Sequence, residues 1–131
     1  MGYLIEYYLK LITMKIIGTG RAHPAKVVTN AMLEEFLDTS DEWIKERTGM
    51  SVRKVISDEK LEDLAIEASI KAIEDAGLKA TDIDYIICSN VVNEYVTPSL
   101  SCIIQGGVGA KCACVDVNAA CSGFIYALDM A

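Results

Sequence analysis

The sequence predicts an α/β layered fold, and three observations carry that prediction. Short apolar runs of strand character alternate with amphipathic helical patterns, in the order strand, helices, strand, helix, strand, helix, strand, helix. Glycines such as Gly49 and Gly77 stand where those helical patterns stop, as left-handed C-caps require. No internal repeat, low-complexity tract or linker breaks the alternation. With 131 residues and 52% hydrophobic content, the length suits one compact domain with a real core.

The net charge of −7 argues against nucleic acid as a partner. The modest basic cluster Arg47, Arg53 and Lys54 is the one local exception to the acidic surface. Five cysteines make an odd count without a disulfide-scaffold pattern, which points to a reducing, cytoplasmic setting. Cys112 and Cys114 alternate onto one strand face, where core packing explains them. They lack a partner motif, and the single histidine, His23, is far away in sequence, so no metal site is expected.

In chain order, residues 1–13 form an apolar extension that is too short to span a bilayer and has no signal-peptide or myristoylation pattern. Ile5, Tyr8, Leu9 and Ile12 would make a helical stripe. The extension is either a start-site addition or a helix that covers exposed surface. A short buried strand is predicted over 15–19, followed by a bend at Gly18-Thr19-Gly20. His23-Pro24 continues the loop, since a residue before proline disfavours helix. Asn30 is the expected N-cap of a helix over 31–37. Ser40 or Asp41 caps a second helix over 42–48, which Gly49 ends.

Trp43 and Arg47, four apart, share one face of that second helix. A flat aromatic beside a fixed cation suits an adenine and its phosphates. The residues alone favour a plainer reading, a core tryptophan with a surface arginine. A strand follows over 51–57, then a helix over 61–76. Leu61, Leu64, Ala65, Ala68, Ala72 and Ala76 line one face of this helix, and Lys60, Asp63, Glu67, Lys71 and Glu74 line the other. The run 84–89 reads as a strand covered on both sides. After a loop over 90–97, Pro98 suits the first turn of a helix over 99–105, and Gly106-Gly107-Val108-Gly109 is read as the turn that closes it.

The chain then reaches Ala113-Cys114-Val115-Asp116-Val117-Asn118-Ala119-Ala120-Cys121-Ser122-Gly123-Phe124. Val115 and Val117 alternate with Cys114 and Asp116 as in a strand. Small residues follow, and from Ser122 the spacing of Phe124, Ile125, Leu128 and Ala131 becomes helical. Cys121 thus falls where free helix N–H groups and the positive end of a helix dipole converge, a setting that stabilises a nucleophilic thiolate and can hold an oxyanion. A buried, inert cysteine fits the same local pattern.

Asp116-Val117-Asn118-Ala119-Ala120-Cys121-Ser122-Gly123-Phe124 resembles the nucleophile segment of the thiolase-like condensing enzymes, above all the β-ketoacyl-acyl-carrier-protein synthase III family that initiates fatty-acid synthesis. Lys15-Ile16-Ile17-Gly18-Thr19-Gly20 with Val28-Thr29-Asn30, and Asp38-Thr39-Ser40-Asp41-Glu42-Trp43-Ile44 with Arg47-Thr48-Gly49, agree in order, so the likeness covers 14–131. The resemblance implies the N-terminal half of a thiolase-like layered fold, with a mostly parallel sheet, and an acyltransferase activity. Cys121 would take an acyl group from acyl-coenzyme A, and malonyl-acyl carrier protein would then condense with it by decarboxylation. It also implies that Thr39, Trp43 and Arg47 contact coenzyme A and that Thr97 borders the acyl pocket. No cofactor is implied beyond acyl-coenzyme A as substrate, and the family association is a homodimer, with neither nucleic acid nor membrane as a partner.

The family's second-step histidine and asparagine match no residue of this sequence, so the chain is expected to be a half-fold that cannot complete condensation and that self-associates through exposed apolar surface. Its acidity would make it a poor dock for an acidic carrier protein away from the basic cluster. Two other readings stand beside this one. The first is a related acyl-coenzyme A condensing enzyme, such as a hydroxymethylglutaryl-coenzyme A synthase or a polyketide starter synthase. The second is a non-catalytic acyl-coenzyme A-binding or dimerisation half-domain.

Overall fold

A computed structural model describes residues 14–131. The stripe expected within 1–13 lies outside the described residues. The described residues form two small sheets with helices packed around them. An antiparallel pair joins β1 (Lys26–Thr29) to β2 (Val52–Val55), with Lys26 opposite Val55 and Thr29 opposite Val52. A parallel pair joins β3 (Tyr85–Ser89) to β4 (Ala113–Val117), in register from Tyr85 against Ala113 to Ser89 against Val117. Parallel neighbours need a long crossover, and here α4 (Leu100–Val108) supplies it. No helix among the described residues is long and apolar enough to cross a membrane.

Between the strands of the first pair lie α1 (Asn30–Glu34) and α2 (Asp41–Thr48). The N-cap of α1 is Thr29, whose hydroxyl accepts from the Met32 N–H at 3.3 Å. Asn30, expected to be that cap, is instead the first helical residue and points inward. It is 2% exposed. Its Nδ2 donates to Asp41 Oδ1 at 2.7 Å and to the Met50 carbonyl at 2.9 Å, and its Oδ1 accepts from Arg53 Nη2. An amide has donors and an acceptor in one flat group, so a single buried asparagine can tie α1, α2 and β2 together. The basic cluster expected from the sequence is therefore split. Arg53 turns in to Asn30, while Lys54, its neighbour on a strand of period two, faces His23 with Nζ 3.5 Å from Nδ1.

β1 was not expected, and the strand expected over 15–19 does not form. A strand needs a hydrogen-bonded neighbour, and no strand of the described residues pairs with this segment. Ile16 and Ile17 are exposed, and no turn marks Gly18-Thr19-Gly20. The glycines serve contact instead. A Cβ at Gly18 would stand 2.4 Å from the Ala72 carbonyl oxygen, and one at Gly20 would stand 2.0 Å from that of Ala68. The small-residue face predicted for α3 (Leu61–Asp75) therefore receives this extended segment against its backbone. Asp75 Oδ2 fastens it by accepting from the Thr19 N–H at 2.9 Å. Glu67 and Lys71, both on the predicted charged face, form an i,i+4 ion pair.

α4 runs through Gly106 and Gly107, so those glycines are helical rather than a closing turn, and Gly109 alone takes the left-handed C-cap with φ 78°. At Gly107 the small residue is required by packing: a Cβ there would meet the Ile66 side chain at 2.3 Å, where α4 lies against α3. Pro98 stands before the helix, not in its first turn, and Ser99 caps it by accepting from the Cys102 N–H. Leu100, Ile104 and Ala110 are buried here, and Ser101 is fully buried. β3 is only half covered, contrary to the expectation of cover on both faces, with Tyr85 51% exposed.

Candidate active site

The carboxyl ends of β3 and β4 lie side by side, the edge at which open α/β sheets place their reactive groups. The Asn90 N–H donates to the Val117 carbonyl at 3.1 Å and extends the ladder by one rung. The chain then crosses Asn118 and Ala119 into a 3₁₀ turn, Ala120–Ser122, and enters α5 (Gly123–Met130). Cys121 sits in the centre of that turn, with its side chain exposed.

Two features make this placement possible. Ala120 has φ 45°, the left-handed region that a residue with a Cβ enters at a cost of about 1–3 kcal/mol. The reversal lets the chain leave the strand sharply and project the next side chain. Gly123 then begins α5 hard against the sheet. A Cβ there would stand 2.3 Å from Ser89 Oγ and 3.7 Å from the Val117 carbonyl oxygen. A larger residue would lift the helix away from the strand ends. Ser122 makes no side-chain cap bond, so its hydroxyl does not take up the N–H groups at the positive end of the helix dipole beside Cys121.

Asp116 holds the neighbouring elements in place. Its Oδ1 accepts from the Ser101 N–H at 2.8 Å, and its Oδ2 accepts from the Leu100 N–H at 3.0 Å and from Asn90 Nδ2 at 3.2 Å. Burial pushes this carboxyl up, but the Ser101 hydroxyl and the N–H donors outweigh it and hold it below the usual carboxylate range. The same charge, with burial as the larger cause, pushes the Cys88 thiol up to about 11, which leaves Cys88 unreactive.

Beside this clamp is a cavity of about 400 Å³ lined by Asn90, Asn93, Tyr95, Val96, Ser99, Asp116 and Asn118, among others. Thr97 is exposed, and its neighbours Val96 and Ser99, rather than Thr97, line the cavity. The Thr97–Pro98 peptide is cis. Asn93 Nδ2 is buried without a partner among the described residues.

On α2, Trp43 and Arg47 do meet. The guanidinium carbon is 5.9 Å from the centre of the indole ring, and the tryptophan is 55% exposed, so it is not a core residue. Ser40 Oγ caps the helix through the Trp43 N–H at 3.1 Å, and Gly49 ends it with φ 71°. Thr39, one residue before the cap, has a buried hydroxyl oxygen without a hydrogen-bond partner among the described residues. Thr39, Trp43 and Arg47 thus belong to the α1–α2 side of the molecule, and Cys121 belongs to the β3–β4 side.

Sequence reasoning missed Asn30 as a tie, Asp116 as a clamp and the left-handed Ala120. A charged residue between two valines of a strand was a usable signal, since a carboxylate there needs donors. Nothing in an Ala-Ala pair signals positive φ, which alanine rarely adopts.

Residues 45–131 match the family model described as Thiolase, N-terminal domain, and the chain belongs to that family. Its curated relatives include β-ketoacyl-[acyl-carrier-protein] synthase III of Clostridium perfringens, to which it is 53% identical over 117 residues, 88% of this chain and 36% of the relative. The corresponding protein of Xanthomonas campestris is 45% identical over 124 residues, 93% of this chain and 38% of the relative. The chain thus spans a little over a third of the length of these relatives. Among solved structures, 3-oxoacyl-[acyl-carrier-protein] synthase III of Aquifex aeolicus superposes with a TM-score of 0.86 at 42% identity, covering 90% of this chain and 39% of that one. A priming β-ketosynthase from a polyketide pathway superposes with a TM-score of 0.84 at 34% identity, covering 89% of this chain and 36% of that one. The thiolase-like α/β fold that the motifs implied is the fold observed, with the parallel pair leading into the Cys121 turn.

Proposed function

We propose that this chain is the acyl-accepting part of an initiating condensing enzyme of the β-ketoacyl-acyl-carrier-protein synthase III kind, with Cys121 as nucleophile. The observation that carries the reading is the placement of Cys121: exposed, one residue after the left-handed Ala120, at the start of a helix pressed onto two parallel strand ends. The Cys121 sulfur attacks the thioester carbonyl of acyl-coenzyme A. A tetrahedral oxyanion forms beside the N-terminal turn of α5 and collapses, so that the acyl group stays on Cys121 and coenzyme A leaves as its thiol. Trp43 stacks on the adenine, Arg47 faces the phosphates, and Thr39, one residue before the cap of α2, contacts the nucleotide. Thr97 borders the acyl chain. In the second half-reaction malonyl-acyl carrier protein would lose carbon dioxide and its carbanion would attack the acyl-cysteine. The residues named here act in the first half-reaction, and His23, which lies against Lys54 in a groove with Thr19, Arg21 and Lys71, is given no part in it.

Intact mass tests this after incubation with acetyl-coenzyme A and with a longer acyl-coenzyme A. A single acyl adduct is expected, lost in Cys121→Ala and retained in Cys88→Ala. An adduct that survives Cys121→Ala removes Cys121 from the role. The likeness to a priming β-ketosynthase supports a second reading, a polyketide starter synthase. Preference for a branched or longer acyl group over acetyl would favour it.

Large apolar side chains, including Phe36, Val92, Val96, Phe124 and Ile125, stand exposed and would gain from being covered. We therefore propose a homodimer or larger self-association, read by sedimentation across a concentration series.

A further inference from the structure

Cys102 lies in the first turn of α4, and Cys114 is the second residue of β4. Their sulfur atoms are 3.2 Å apart, so a shift of about an ångström would bring them to bonding distance. The two sulfurs are not equivalent. Ser99 Oγ donates to Cys102 Sγ at 3.2 Å, and Cys102 is exposed while Cys114 is half-buried. The Ser99 hydroxyl, and after it the Cys114 thiol, lower the Cys102 pKa, while that same contact and burial raise the pKa of Cys114. Cys102 is therefore the attacking sulfur and Cys114 the S–H donor beside it.

We propose that Cys102 and Cys114 form a dithiol modification site that reacts with low-molecular-weight disulfides of the glutathione class and closes to an intramolecular disulfide. The Cys102 thiolate attacks one sulfur of the small disulfide and breaks its S–S bond. The first half leaves as a thiolate and takes the proton that Cys114 releases. The Cys114 thiolate then attacks Cys102 Sγ and expels the second half, which picks up a proton from solvent. Two protein thiols are oxidised, and one small disulfide is reduced to two thiols. The bond would lie on the seam where Asp116 already holds the Leu100 and Ser101 N–H groups, and so would tie the first turn of α4 to the strand that leads to Cys121. Cys121 takes no part, so the proposal stands apart from the nucleophile reading.

The test is intact mass of the full chain after incubation with oxidised glutathione, with alkylation and fragment mapping. The expected product has lost two hydrogens, has two fewer thiols open to alkylation, maps to Cys102 and Cys114, and reverts with dithiothreitol. Cys114→Ser should instead keep a glutathione on Cys102, Cys102→Ser should abolish the two-hydrogen loss, and Cys112→Ser and Cys121→Ser should leave it intact. The wild-type map decides the matter even if a variant fails to fold. A disulfide that involves Cys112 or Cys121, or glutathione adducts without loss of two hydrogens, overturns the proposal.

Discussion

The two halves of the described molecule are held together in different ways. The α1–α2 side closes an antiparallel pair around one buried amide, Asn30, whose partners Asp41, Met50 and Arg53 all lie within a short stretch of chain. The β3–β4 side joins two parallel strands through the crossover helix α4 and fastens it with one carboxylate, Asp116. The first side carries the proposed binding face, Trp43 with Arg47. The second carries the proposed nucleophile, Cys121, directly after the left-handed Ala120. A ligand face tolerates a short-range polar frame. A nucleophile needs strand ends, helix start and turn to be set against one another to within a fraction of an ångström.

That contrast can be broken most severely at Asn30. Asn30→Ala leaves an Arg53 guanidinium and the Met50 carbonyl without their inner partner, and should cost about 3 kcal/mol in urea unfolding. Gly123→Ala should cost about 1–3 kcal/mol by pushing α5 off Ser89. Ser89→Ala in the same chain should recover part of that loss, and a double-mutant cycle that showed simple additivity would remove the contact from the account. Trp43→Ala should leave folding within about 0.5 kcal/mol, since the ring is exposed. It should weaken coenzyme A binding about tenfold by calorimetry. Equal binding would separate the Trp43–Arg47 face from the nucleotide.

The smallest effect is acid-dependent. N–H donors, Ala25 first and Ser57 next, hold the Glu59 carboxyl down to about 2 from an ordinary value of 4.5. A folded value below the unfolded one stabilises the protein above the unfolded pKa, and that contribution drains away as pH falls from there toward 2. Glu59→Gln should flatten the stability profile in that window and leave its shape unchanged near neutrality. A wild-type and a variant profile that run parallel through the acid range would dismiss the interaction.

Sequence by itself determined the α/β class, the extents of α2 and α3, the strand over 84–89, and the passage from strand through Cys121 into helix. These are local matters: period-two and period-3.6 patterns, a serine cap on α2, and glycine stops at Gly49 and Gly77. Tertiary structure alone decided the rest. Lys15–Thr19 has the composition of a strand, yet no described strand pairs with it, because a ladder depends on a neighbour and not on its own residues. Gly106 and Gly107 read as a turn, yet both are helical, and at Gly107 Ile66 of α3 occupies the space a Cβ would fill. Lys26–Thr29 became a strand through Val52–Val55, and Asn30 turned inward once Asp41 and Arg53 were brought to it. Cys102 and Cys114 are twelve positions apart, and their close approach comes from the crossover of α4 onto β4. Each of these depends on which distant group arrives at a given point, and distance in space is the one quantity a local pattern does not encode.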